Sequence, residues 1–241
     1  MDFSSAMPDN FLTGHNSNMV QIWSLRSERS KMAFTNHSDA VNTVKFFDNS
    51  KCWSGSSDRT LKLMDLKKGS VINTYMCISG CFSSATDGCY AIYTGHNDGK
   101  LKIWTENKKS VVIEDKIHDS KITDLQFSSD GNTIITFAKG ESMCFWDIRM
   151  TKTRFKLDLS NLNLPGGQCT ISVDKDSRRL FCGDNKGEAT IYDISNESLK
   201  KIANFETGKH AIHHTIYSDV SENIYFANSN GELICYCASR N

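Results

Sequence analysis

The chain has 241 residues, with 28 basic and 28 acidic side chains and no net charge, and its 39% apolar and 23% charged content is that of an ordinary globular protein. A zero balance argues against the basic excess of nucleic-acid binders and the basic cluster of polybasic membrane anchors, so neither nucleic acid nor direct membrane insertion is expected. The longest like-charge runs, Lys67-Lys68, Lys108-Lys109, Arg178-Arg179 and Lys200-Lys201, read as solvated loop charges.

The nine cysteines are odd in number and scattered, and the start MDFSSAMPDN has neither a basic nor an apolar leader region. No window approaches 18 consecutive apolar residues. Together these predict free thiols in a reducing compartment and a cytoplasmic location.

In chain order, one pattern recurs: a small or glycine-containing segment, a tight polar turn, a short alternating strand and an aromatic that often precedes Asp. It begins with TGHNSNMVQIW ending at Trp23, after MDFSS, which reads as the tail of a first strand. The second instance is SGSSDRTLKLMD, with Met64 in the aromatic position, and the third is TGHNDGKLKIW, ending at Trp104. FAKGESMCFWD follows at Trp146, CGDNKGEATIYD at Tyr192 and ANSNGELICYC at Tyr236. The aromatic positions are 41, 40, 42, 46 and 44 residues apart, a mean of about 42.6 that falls in the range of propeller repeats.

Each instance has an upstream strand with its own turn, clearest in AVNTVKFFDNSKCWSGS and KITDLQFSSDGNTIITF. A fourth strand follows the aromatic, as in SVINTYM, SVVIEDK, TRFKLDL and KKIANFE. Four short antiparallel strands per repeat predict an all-β propeller of four-stranded blades. In Leu61-Lys62-Leu63-Met64 and Leu101-Lys102-Ile103-Trp104, alternation places the aliphatic residues between blades and the lysines on the opposite face. Pro165 opens a PGGQ loop in the longest repeat. A single domain, 1–241, is expected, with repeats near 1–36, 37–77, 78–117, 118–160, 161–208 and 209–241. Length divided by period gives about 5.7 units, which predicts six irregular blades, or a seven-bladed ring lacking N-terminal strands or one blade.

The Trp146-Asp147, Met64-Asp65 and Tyr192-Asp193 pairs, with Gly14-His15 and Gly95-His96, resemble the WD40 family over essentially the whole chain. The resemblance implies a structural relay of a His in the loop entering a blade, a Ser or Thr, an Asp and a Trp. The second repeat offers His37, Ser54 and Asp58, with Met64 where the Trp belongs. The fourth offers His118 and Trp146, with Gly140 at the Asp position. No repeat is expected to have the complete relay.

Catalytic signatures are missing. His96-Asn97-Asp98 sits where the repeat places a turn. His213-His214 falls in a strand, IHHTIY, which would aim the two rings at opposite faces, unsuited to one metal. Cys235 and Cys237 share a face but lack further ligands and read as buried small hydrophobes. No phosphate loop, G-x-S-x-G elbow or H-E-x-x-H helix occurs. No catalytic, metal or cofactor-binding residue is therefore expected, and the chain reads as a platform for other proteins or peptide motifs.

The loops entering the blades and the turns between second and third strands would form the docking face, with Asp39, Arg59, Asn97, Asp119, Lys121 and Lys139 as contact residues. Within the WD40 family, SGSSDRTLKLMDL, the G-H-x-D-x-K-x-x-x-W segment at Gly95 to Trp104 and the K-I-T segment at Lys121 are similar, in that order, to propellers of the autophagy-related sixteen-like proteins. That resemblance implies an adaptor that directs lipid conjugation of ubiquitin-like autophagy proteins to membranes. The propeller would recruit the conjugation machinery through membrane-associated proteins, with Lys121 at a recruitment position. Asn97 departs from that family's aromatic. A generic WD40 adaptor, such as a ubiquitin-ligase substrate receptor or a cytoskeletal or complex-assembly subunit, is the alternative.

Overall fold

The computed structural model of the chain describes residues 1–3, 8–87, 90–128, 131–138, 142–162, 164, 170, 172–174, 176–218 and 220–237. Lys139, Gly140 and the Pro165 loop lie outside the described residues. Two compact units make up the chain, Met1–Leu125 and Gln126–Asn241.

The alternating segments become the strands of six antiparallel sheets, and the fold is the expected all-β propeller class. The first sheet holds β1 (Asp2–Phe3), β2 (Asn10–Gly14), β3 (Val20–Ser24) and β4 (Arg29–Phe34); the second holds β5 (Val41–Phe46), β6 (Lys51–Ser56), β7 (Thr60–Asp65) and β8 (Ser70–Met76). The third holds β9 (Cys81–Thr86), β10 (Ala91–His96), β11 (Lys100–Thr105) and β12 (Lys108–Lys116). The fourth holds β13 (Ile122–Phe127), β14 (Thr133–Ala138), β15 (Ser142–Asp147) and β16 (Lys152–Asp158). The fifth holds β17 (Ser172–Val173), β18 (Arg179–Gly183), β19 (Glu188–Asp193) and β20 (Lys200–Glu206). Three strands are described in the sixth: β21 (Ile212–Ser218), β22 (Asn223–Asn228) and β23 (Leu233–Cys237).

Apolar residues from consecutive sheets interleave. In the first unit, Leu12, Val20 and Phe34 pack against Val41, Phe46 and Met64, while Trp53, Leu63 and Tyr75 pack against Ile92 and Trp104. In the second unit, Phe137, Met143 and Phe145 meet Leu180 and Ile194. Met64 is fully buried in this way, so the residue replacing the aromatic fills the space without a polar atom that needs a partner.

In the first, second, third and fifth sheets the glycine ahead of the turn between second and third strands is a contact point between sheets. A Cβ on Gly55 would run into the Cys81 Sγ, one on Gly14 would lie 2.8 Å from the Val41 Cγ1, and one on Gly183 would overlap Ile212. Bare backbone lets the first strand of the next sheet approach. The Asp after the aromatic closes the turn between third and fourth strands: Asp65 accepts from the Lys67 and Lys68 amides at 2.8 and 2.9 Å, and Asp147 from Arg149 and Met150 at 2.8 and 3.0 Å. These backbone bonds hold both carboxyls below their ordinary range.

Three expectations need correction. Lys102 is buried, because its Nζ reaches the Cys77 carbonyl at 2.6 Å and Glu114 at 3.1 Å, so period 2 does not expose it. A bulge between Ile212 and His214 interrupts the simple alternation assumed for His213-His214. Cys235 and Cys237 are exposed on β23 and are not core residues.

Candidate functional site

Four residues, 77–80, connect the second and third sheets and are held from both sides. The Cys77 amide donates to the Arg59 carbonyl at 2.9 Å, and the Cys77 carbonyl accepts from Lys102. The Ser79 carbonyl accepts from His96 Nδ1 at 3.2 Å, and the Gly80 carbonyl from the Asn97 amide at 3.0 Å. Ile78 is left pointing outward, 81% exposed, with φ at +68°. A β-branched residue in the left-handed region is strained, and such strain persists only where the surroundings over-determine it.

Arg59 has the same backbone sign, φ +65°, in the turn between β6 and β7. Asp58 builds that turn: its carboxylate accepts from the Thr60 hydroxyl at 2.6 Å, the Thr60 amide at 2.9 Å and the Ser38 amide at 3.0 Å. His37 bonds Asp58 at 2.8 Å and Ser54 at 2.7 Å. Because the carboxylate only accepts, Nδ1 of His37 donates to it and Nε2 accepts from Ser54. Burial pushes the His37 pKa down against the pull of Asp58. Burial pushes Asp58 up, but the bonds from Thr60, His37 and Ser38 outweigh it and hold the carboxyl below its usual value.

The third sheet has a relay of a different layout. Trp104 Nε1 donates to the Thr94 hydroxyl at 2.8 Å, and that hydroxyl lies 2.8 Å from His96 Nε2. Since Nδ1 must donate to the Ser79 carbonyl, Nε2 accepts from Thr94, and protons are donated in one direction from Trp104 to Ser79. Burial first, then the Lys102 charge, pushes the His96 pKa down to about 4, in keeping with a neutral ring. The first sheet repeats the pattern, with Trp23 on Thr13 at 2.9 Å and Thr13 on His15 at 2.7 Å. In both, the histidine comes two residues after the threonine and not from the entry loop. The signal was present in the sequence as T-G-H followed by Trp ten residues after the Thr. His118 is buried in the connection between β12 and β13, Trp146 is buried on β15, and Tyr192 packs half-buried on the core of the second unit.

Around this framework lies an open depression of about 510 Å³, lined by Arg59, Ile78, Phe82, Asn97 and Asp98 among others. Lys121 is half-buried at its side, with Nζ 4.1 Å from the Phe82 ring centroid. Of the contact residues expected from sequence, Arg59 and Asn97 line the depression and Lys121 reaches it through Phe82. Asp39 and Asp119 are exposed but do not line it: Asp39 accepts from the Ala40 amide at 2.7 Å, and Asp119 sits 3.6 Å from Lys116. Lys139 is outside the described residues. Sequence reasoning missed Ile78 and Phe82, which supply the apolar part. It also missed Asn42, whose side chain ties Ser57 to the Cys81 carbonyl at 2.9 Å each. A depression with an exposed aliphatic, an aromatic and both charge signs suits a peptide segment.

Two segments, 28–65 and 110–147, match the family model described as WD domain, G-beta repeat. The chain is 27% identical over 195 residues to Autophagy-related protein 16 of Arabidopsis thaliana, a match covering 79% of this chain and 38% of that protein. It is 27% identical over 198 residues to Protein tipD of Dictyostelium discoideum, covering 80% and 32%. WD repeat-containing protein 55 homolog of Dictyostelium discoideum is 25% identical over 229 residues, covering 90% and 52%. The chain thus spans about a third of the length of the first two relatives. No helix among the described residues is long and apolar enough to cross a membrane.

Proposed function

We propose that this chain, which carries WD40 repeats, is a non-catalytic protein-interaction scaffold and the recruitment propeller of an autophagy-related sixteen-like adaptor. Its place would be the cytoplasm, with recruitment to autophagic or endolysosomal membranes through proteins already there. The observation that carries the reading is the depression at Ile78. Three of the four residues of the 77–80 connection are clamped by backbone or buried side chains, and the fourth is held strained and outward beside Arg59, Asn97 and the Lys121–Phe82 pair. Strain maintained by that many bonds is easier to explain by contact with a partner than by packing, since Ile78 packs on little.

The likeness to Autophagy-related protein 16 supports the choice of machinery, namely the complex that conjugates ubiquitin-like autophagy proteins to lipid. Affinity capture on the purified chain tests this choice. Recovery of that conjugation complex or of proton-pump subunits supports it, and recovery of cullin adaptors instead overturns it in favour of a ubiquitin-ligase receptor.

A further inference from the structure

The second unit contains a pocket of about 320 Å³ between the fourth and fifth sheets, at the end of the sheets that holds the hairpins joining first to second and third to fourth strands. The stacked rings of Phe145 and Phe155, with centroids 4.2 Å apart, and buried Ile194 form its apolar wall. Two arginines line it from opposite sheets: Arg154 on β16 and Arg178 in the hairpin between β17 and β18.

Neither guanidinium forms an ion pair among the described residues, although the charge of Arg154 helps to hold the Asp147 carboxyl low and that of Arg178 the Asp193 carboxyl. The arginine ion pairs among the described residues are Arg26 with Asp9, Arg149 with Asp147 and Arg179 with Asp174. Arg154 has a single long bond, 3.5 Å, to the Thr133 hydroxyl. Arg178 is the last of the causes that hold the Asp193 carboxyl low, after the Ser195 bonds and the charge of Lys200. Yet the Arg178 turn is firmly built. Nearly buried Asp174 accepts from the Arg178 and Arg179 amides at 2.7 and 2.9 Å and from Arg179 Nε at 2.9 Å. Ser177, at φ +54°, presents its residue to the pocket. A fixed turn that holds one arginine without an ion pair opposite a second such arginine leaves both guanidinium forks open to an incoming anion, although Asp176 and Glu197 also line the pocket.

We propose that this pocket binds a phosphorylated serine or threonine side chain of a partner protein, flanked by basic residues. Two guanidinium forks together with the Thr133 and Ser177 hydroxyls give more donors than a carboxylate can accept, and they match the oxygens of a phosphoryl group. The volume admits one modified side chain, with its β-carbon against Phe155. Asp176 and Glu197, exposed and also lining the pocket, repel an extended polyanion such as nucleic acid or an anionic bilayer. The same two carboxylates attract lysine or arginine on either side of the phosphorylated residue. The site is built from other residues than the Ile78 depression and does not depend on the function proposed for it.

The test is fluorescence anisotropy of the whole chain with a labelled peptide carrying one central phosphoserine between lysines. Its unphosphorylated twin and a phosphoserine peptide with glutamate flanks serve as comparisons. At least tenfold tighter binding of the lysine-flanked phosphopeptide than of either comparison is expected. Arg154→Gln and Arg178→Gln, both at exposed positions, should each weaken that binding at least fivefold while the melting temperature stays unchanged. Equal affinity with and without phosphate, or undiminished binding by both variants, overturns the proposal. So does Arg178-dependent sedimentation with phosphatidylserine vesicles while the phosphopeptide stays unbound.

Discussion

His96 donates through Nδ1 to the Ser79 carbonyl, 3.2 Å away, and so connects the buried Trp104–Thr94 pair to the segment that exposes Ile78. A relay that stabilises the third sheet therefore also fixes the shape of the candidate docking surface. Thr94→Val removes the central hydroxyl and leaves the Trp104 indole and His96 Nε2 without their partner in a fully buried site. The expected cost is about 1–3 kcal/mol in chemical denaturation, with weaker partner binding alongside. A loss below 0.5 kcal/mol, on the order of an ordinary surface substitution, would show that the relay does not stabilise the sheet.

The same histidine sets a pH dependence. Its folded pKa is held down at about 4 from an ordinary 6.5, so the unfolded chain takes up a proton that the folded chain refuses. The stabilisation is fully present above pH about 6.5, falls as the pH drops toward 4 and levels off below that, by about 3 kcal/mol in all. The lowered pKa of His37 acts in the same direction. Urea melts between pH 4 and 7.5 should show this decline, and a His96→Gln variant should show a shallower one; parallel curves for the two proteins would remove His96 as its source.

Ile78→Gly relieves the left-handed strain without removing buried surface, since the side chain is 81% exposed. The gain from strain exceeds the entropy that glycine adds to the unfolded chain, so a net stabilisation of about 0.5 kcal/mol is expected. Partner affinity should fall at the same time. A variant that is both less stable and equally good at binding would mean that the residue serves packing.

Gly55→Ala should destabilise by about 1–3 kcal/mol, because the added methyl meets the Cys81 sulfur and the Thr43 methyl at 2.8 Å. Cys81→Ala removes the flexible half of that clash, so the double variant should be more stable than the sum of the single losses. Strict additivity in the cycle would place the strain elsewhere.

The strands were legible because each carries its own alternation and turn residues: SVINTYM is β8 and KKIANFE is β20 to the residue. Contacts between sheets were not. Alternation places Lys102 on the face opposite the aliphatic residues, and it is buried there because the Cys77 carbonyl from the 77–80 connection and Glu114 from β12 converge on it. The Trp–Thr–His relays were overlooked for a similar reason: a histidine was expected from the preceding loop, whereas the local T-G-H spacing reaches the same hydroxyl from the strand end. Arg59 and Asn97 could be placed at turns from the repeat alone, but Ile78 acquires its role only from four bonds made to its segment by residues 18 to 24 positions away.

The most direct test of the docking surface is the affinity of the purified lipid-conjugation complex for the wild-type chain and for Lys121→Ala and Arg59→Ala, measured by surface plasmon resonance with melting temperatures recorded in parallel. Both substitutions should weaken binding at least tenfold. Arg59→Ala leaves the folded core intact, and Lys121→Ala gives up only the cation–π contact with Phe82, about 0.5–1 kcal/mol. Unchanged affinity in both variants, with the wild-type chain binding, would contradict the assignment of this depression as the recruitment surface.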